Sequence, residues 1–137
     1  MNWTKFIFAF IAAFIFIFFF GWFFHEVVLK DTYVQVPSAL LRTPEEFKSH
    51  FAWLVSGQIV FAFAFAWIFA SGFSGVGAGI KLGINVAILG IGAHLITYAV
   101  QPFPGQLIAY WSIGALVEMA IVGAIVGAIY KPAVPRM

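Results

Sequence analysis

Glu118 is the one charge in the run from Leu82 to Tyr130. A carboxyl group inside so apolar a stretch suits either proton or cation relay, or a structural bond to Asn85, a backbone group or a neighbouring subunit. Asn85 and Lys81 precede it one helical turn apart. Counted by helical rise from the Gln101–Gln106 turn, Asn85 and Glu118 reach a similar depth, roughly 20–24 Å from that face, with Lys81 one helical turn beyond. His94 and Ser112 match at roughly 10 Å from the same face, with Gln58 close to their level. His25, His50 and His94 all fall in this half of the chain's span. Three imidazoles from three helices are donors of the kind copper or zinc takes. Their spacing fits no ligand motif, and the plainer reading gives His94 a hydrogen bond to Ser112 or Gln58. His25 and Glu26 end the aromatic run "FFFGWFF", where charges sit cheaply among lipid headgroups.

Composition decides what must hold these groups. Of 137 residues 64% are hydrophobic and 9% charged, with mean hydropathy +1.04. Soluble domains are roughly 45–50% apolar and about 25% charged, so one compact membrane domain is expected, with lipid as its solvent. Seven basic residues spread along the chain form no nucleic-acid patch. Without cysteine there is no disulfide, thiolate ligand or covalent haem attachment. "GVGAG" (Gly75–Gly79) follows no strand, and no phosphate loop or nucleophile–base set is present. No catalytic residue and no cofactor are therefore indicated.

About 20 apolar residues cross a bilayer as helix, and lipid offers a non-helical backbone no partner. Four spans follow, at about 4–26, 50–71, 79–100 and 106–130, the last two separated by "QPFPGQ" (Gln101–Gln106). The fold class is all-α, an antiparallel up-down-up-down four-helix membrane bundle. The first run is too long and too bulky at its end for a cleaved signal peptide and reads as an anchor. Trp22, Trp53, Tyr98, Tyr110 and Trp111 mark one water boundary; Trp3, Trp67 and Tyr130 mark the other. Lys5, Lys81, Lys131 and Arg136 outnumber Lys30, Arg42 and Lys48, which places both termini in the cytoplasm.

The connection 27–49 carries a helix start in "TPEE", with Thr43 as N-cap, Pro44 at N1 and Glu46 at N3. Glu26 and Lys30 form an i, i+4 pair that would carry the first helix past the surface. "DTYVQVPSALLR" is apolar enough to lie on the bilayer. Small residues at four-residue spacing should let helices approach closely: Ala62, Ala66 and Ala70; Gly79, Gly83 and Ala87; Ala120, Ala124 and Ala128 beside Gly123 and Gly127. The first helix, with ten Phe between positions 6 and 24, is apolar all round and is expected to face lipid or another subunit.

Three stretches, "FHEVVLKDTY" (Phe24–Tyr33), "LLRTPEEF" (Leu40–Phe47) and "YAVQPFPGQL" (Tyr98–Leu107), resemble a group of small bacterial four-span integral membrane proteins to which no activity is assigned. The resemblance implies a multi-pass protein of the bacterial inner membrane and transfers no catalytic residue. The expected function is a non-catalytic accessory or structural subunit, partnered by the bilayer and by other membrane subunits or copies of itself. A small transporter or channel with a polar path around Glu118 and His94 is one alternative. A metal- or haem-binding redox protein is another.

Overall fold

The computed structural model describes residues 1–133. Arg136, counted above for orientation, lies outside them. Every regular element among the described residues is helical: α1 (Trp3–Phe23), a π-helical turn (Phe24–Val28), α2 (Lys30–Tyr33), a 3-10 turn (Ser38–Leu40), α3 (Pro44–Gly72), α4 (Val76–Val100) and α5 (Gly105–Ile129). Four segments are long and apolar enough to cross a membrane: Trp3–Val28, Ser38–Gly72, Val76–Val100 and Gly105–Ile129. The chain is thus a multi-pass four-helix bundle, with each helix antiparallel to its neighbours. α3 has 29 residues, about 44 Å at helical rise, against a hydrocarbon core of about 30 Å. Its charged first turns, with Glu45, Glu46 and Lys48, therefore stand in the headgroup region.

The start of α3 is built as its sequence dictates. Thr43 Oγ1 accepts from Glu46 N (3.2 Å), and Glu46 Oε2 accepts from Thr43 N (2.9 Å), behind Pro44 in the first turn. At the other end of the bundle Asn2 caps α1 by accepting from Lys5 N (3.2 Å). Its Nδ2 donates to Lys131 O (3.2 Å), tying the chain's beginning to the end of α5.

Across the bundle the helices lie in the order α3, α1, α5, α4. The Phe-rich α1 thus has neighbours on two sides, while Ile7, Phe8, Ile11, Ile15 and Phe19 remain exposed for lipid or another subunit. Ala9 and Ala13, fully buried with Phe6 and Ile17, form the narrow seam that admits neighbours on two sides. Its rings interlock with α3: Phe6 and Phe10 sit edge-on to Phe63 at 5.5 and 5.8 Å, and Phe6 meets Trp67 at 6.0 Å. Such edge-to-face pairs contribute on the order of 1 kcal/mol each beyond burial. Ala62 and Ala66 of α3 are buried behind them.

α4 and α5 meet differently, backbone on backbone. A Cβ added at Gly79 or Gly83 would overlap the carbonyls of Gly123 and Met119, and one at Gly127 would lie 2.5 Å from Gly75 O. Only glycine permits that approach, and in lipid the resulting van der Waals contact is the main force available. Ala87 is buried beside this seam; Ala120 and Ala124 are half-buried, and Ala128 is exposed. On the inner face, Tyr130 closes the α3–α5 gap edge-on to Phe69 at 6.1 Å, its hydroxyl donating to Ala70 O (3.4 Å).

Within the segment 27–49 some apolar side chains pack on the protein itself. Its first part folds over the end of α5 that follows the Gln101–Gln106 turn: Leu29 and Val36 are buried with Leu107, beside Tyr33, Leu40, Phe103 and Trp111, while Val34 and Leu41 are exposed. The π-helical turn makes this possible. Its closing bond, Leu29 N to Phe24 O (2.9 Å), inserts a residue that ends the α-helical register. The chain breaks at Leu29, and no Glu26–Lys30 ion pair forms among the described residues.

Candidate functional site

Beneath that folded connection lies a polar cluster that joins three parts of the chain. Trp111, on α5, is held edge-on by Phe103 at 5.3 Å and sends its indole N–H to the Tyr33 hydroxyl (3.0 Å). An indole nitrogen only donates, so Tyr33 oxygen accepts there. The same hydroxyl meets His25 Nδ1 at 2.6 Å, donating when the imidazole carries its proton on Nε2 and accepting when it carries it on Nδ1. Burial raises the Tyr33 hydroxyl above the ordinary phenol value. The bond from Trp111 offsets part of that rise, and the nearby negative charge of Glu26 adds to it. Tyr33 therefore stays protonated as a donor.

His94, on α4, lies 5.7 Å from the Trp111 ring. Its Nδ1 is 3.4 Å from Ser112 Oγ, a long contact, while Ser112 donates to Ile108 O at 2.8 Å. Gln58 does not join this layer. Its amide fills the space left by the missing side chain of Gly21, with Nε2 3.5 Å from where a Cβ would stand. Its Oε1 is buried without a hydrogen-bond partner.

The deeper set is not assembled either. α4 turns Gly79 and Gly83 toward α5. Lys81 and Asn85, each two residues on, point about 200° away and are exposed on the outer face. Glu118 occupies another side of α5. One turn before it, Gly114 meets the Phe24 ring of α1; one turn after it, Val122 is fully buried. The carboxyl is half-buried on the α1 side, with no hydrogen-bonding side chain against it among the described residues. No hydrogen bond joins Glu118 to His94 among the described residues.

The three histidines are likewise apart. His50 Nδ1 lies 2.8 Å from Glu46 O and 3.0 Å from Ser49 Oγ in the exposed first turns of α3, whereas His25 meets Tyr33 and His94 meets Ser112. Among the described residues, no group of three His, Cys, Asp or Glu stands where a metal ion would bind. Tyr33 and Trp111, which organise the cluster, were not singled out by sequence as site residues. Trp111 reads as one more interfacial ring, and Tyr33 reaches His25 only because the chain reverses at Leu29. Comparison with family models, with curated proteins and with solved structures finds no match.

Proposed function

We propose that the protein is a non-catalytic accessory subunit of an assembly in the bacterial inner membrane, which packs through its transmembrane surface against other membrane helices. One observation carries this reading. Asn85 stands ten residues into the 25 residues of α4, about 15 Å from its inner end, and is exposed on the face turned away from α5. That is near the bilayer midplane, where hydrocarbon offers a carboxamide nothing. A partner helix supplies what lipid does not. The Tyr33–Trp111–His25 cluster then has a structural task, pinning the outer connection over α5.

The test is extraction from native membranes in mild detergent or polymer discs, followed by native mass spectrometry. Recovery in a complex of larger mass is the expected result. Recovery solely as a lone monomer overturns the proposal. A transporter reading draws on the unpartnered Gln58 Oε1 and on Glu118, both on polar side chains within the bundle. Liposome flux abolished by Glu118→Gln would establish it in place of the first.

A further inference from the structure

The cluster under the connection contains one side chain of the kind that titrates near neutrality, His25, and its ring is exposed at the water boundary. Tyr33 and Trp111 are half-buried. All three meet at one atom, the Tyr33 oxygen, which lies 2.6 Å from His25 Nδ1 and 3.0 Å from Trp111 Nε1. The hydrogens of the indole, the phenol and the imidazole compete around it, and only one assignment gives each bond its own donor and acceptor. With the imidazole neutral and its proton on Nε2, Trp111 donates to Tyr33 and Tyr33 donates to Nδ1. With a proton on Nδ1, two donors converge on the phenol oxygen and the Tyr33 hydrogen loses its acceptor. A half-buried cluster favours the first arrangement, because a donor left without an acceptor costs more than a formed bond returns.

We infer that the connection is an acid-released latch: a proton taken up at His25 Nδ1 loosens residues 29–41 from the end of α5 next to the Gln101–Gln106 turn. The imidazolium donates from both nitrogens, so the bond that Tyr33 donates to His25 is lost. Trp111 then holds Tyr33 alone, beside the apolar contacts of Leu29 and Val36 with Leu107. Few charged groups surround the imidazole. Glu26, its neighbour in the π-helical turn, acts by its charge on both His25 and Tyr33 and is the counter-ion of the protonated ring. From α2 the titratable group that faces His25 is Tyr33, while Lys30 and Asp31 are exposed. From α5 the facing group is Trp111, which does not titrate. The inference goes beyond the subunit reading and does not depend on it, because it concerns a joint within one chain.

The test is hydrogen exchange in the full-length protein, held in discs of zwitterionic lipid. It is read at about pH 8 and about pH 5, an interval that spans the ordinary imidazole value near 6.5. The reporters are the amides of Tyr33, Gln35 and Val36, which donate to Leu29 O, Thr32 O and Tyr33 O at 3.0, 3.2 and 3.1 Å. After correction for the intrinsic pH dependence of exchange, their protection should fall about three- to tenfold in acid, the worth of one hydrogen bond. Amides along the α4–α5 seam should hold theirs. His25→Gln keeps an acceptor that does not titrate, so its protection should be level across the interval. Glu26→Gln should leave the fall in place. Protection that does not change with pH in the parent overturns the inference, as does an equal fall in His25→Gln. Disappearance of the fall in Glu26→Gln assigns the switch to the carboxylate and overturns it too.

Discussion

Replacing Gly83 by alanine tests the backbone-on-backbone joint between α4 and α5. The new methyl would overlap the Met119 carbonyl oxygen and lie 2.6 Å from the Met119 carbonyl carbon and 3.3 Å from Ala120 N. Carbon atoms rest at about 3.5–4.0 Å, and both obstacles are backbone, so the helices must part by about 1 Å. A gap of that size forfeits a quarter to a half of each contact, each being worth about 0.1–0.2 kcal/mol. Over on the order of forty atom pairs, the number one buried leucine makes, the loss is about 2 kcal/mol. Alanine also gains helix propensity over glycine, about 1 kcal/mol, which would blur a single measurement. Gly90→Ala removes the ambiguity: it lies on the same helix, and its Cβ would meet nothing within 4 Å. Propensity cancels between the two variants. Equilibrium unfolding in mixed micelles of SDS and a mild detergent should show Gly83→Ala less stable than Gly90→Ala by about 2 kcal/mol. Variants equal within about 0.5 kcal/mol would mean that the helices do not touch there, and the packing argument would fail.

Glu118→Leu should stabilise the bundle by about 1–3 kcal/mol in the same assay, because it removes a half-buried carboxyl to which no hydrogen-bonding side chain is aimed; destabilisation would reveal a bond the geometry lacks. Tyr33→Phe deletes the oxygen shared by Trp111 and His25. Loss of hydrogen-exchange protection across residues 29–41, by about 1–2 kcal/mol, is expected, and unchanged exchange counts against the cluster as a clamp. In the native protein, phenolate absorbance minus that of Tyr33→Phe should show one tyrosine titrating above the ordinary value near 10. Its contribution to stability is then complete below the unfolded value and disappears as pH rises through the folded one; titration at or below 10 contradicts the burial argument. Thr43→Ala should cost about 1 kcal/mol and speed exchange at the Glu46 and Phe47 amides, and protection as in the parent would discount the cap.

The four spans were legible because lipid leaves an apolar chain few alternatives: helices wherever the charges stop, and breaks at "QPFPGQ". The cap at Thr43 was legible because every contact in it lies within four residues. What sequence missed is azimuth. Depth along a helix can be counted from a turn, and that count brought Asn85 level with Glu118. Which way a side chain points depends on which face meets the neighbour. That signal was in the text: once Gly79 and Gly83 are taken as the contact face, Asn85 two residues later must point away. The place of α1 was harder to read. In a helix apolar all round only Ala9 and Ala13, four apart, mark the seam between two neighbours. The Tyr33 bond to His25 was out of reach, because it requires a π-helical turn and a reversal that no local pattern announces.

Two kinds of joint hold the row of helices, and the contrast bears on where the molecule yields. Over Gly79–Gly83 and Gly123–Gly127, α4 and α5 meet backbone on backbone, so parting them there loses that contact at once. α1 and α3 meet through rings that tilt and change rotamer, a surface that tolerates adjustment. Between these pairs lies the α1–α5 seam, where Gly114 receives the Phe24 ring and where Glu118 is placed. A carboxyl without a bonding side chain at that position works against tight closure of the seam, while the Tyr33 clamp above and the Asn2 and Tyr130 ties below hold its two ends. If the molecule has one internal degree of freedom, it is movement of the α1–α3 pair against the α4–α5 pair, with the ends fixed and the middle free to breathe. The outer face of α4 belongs to the stiffer pair, which suits it to present Asn85 at a constant depth.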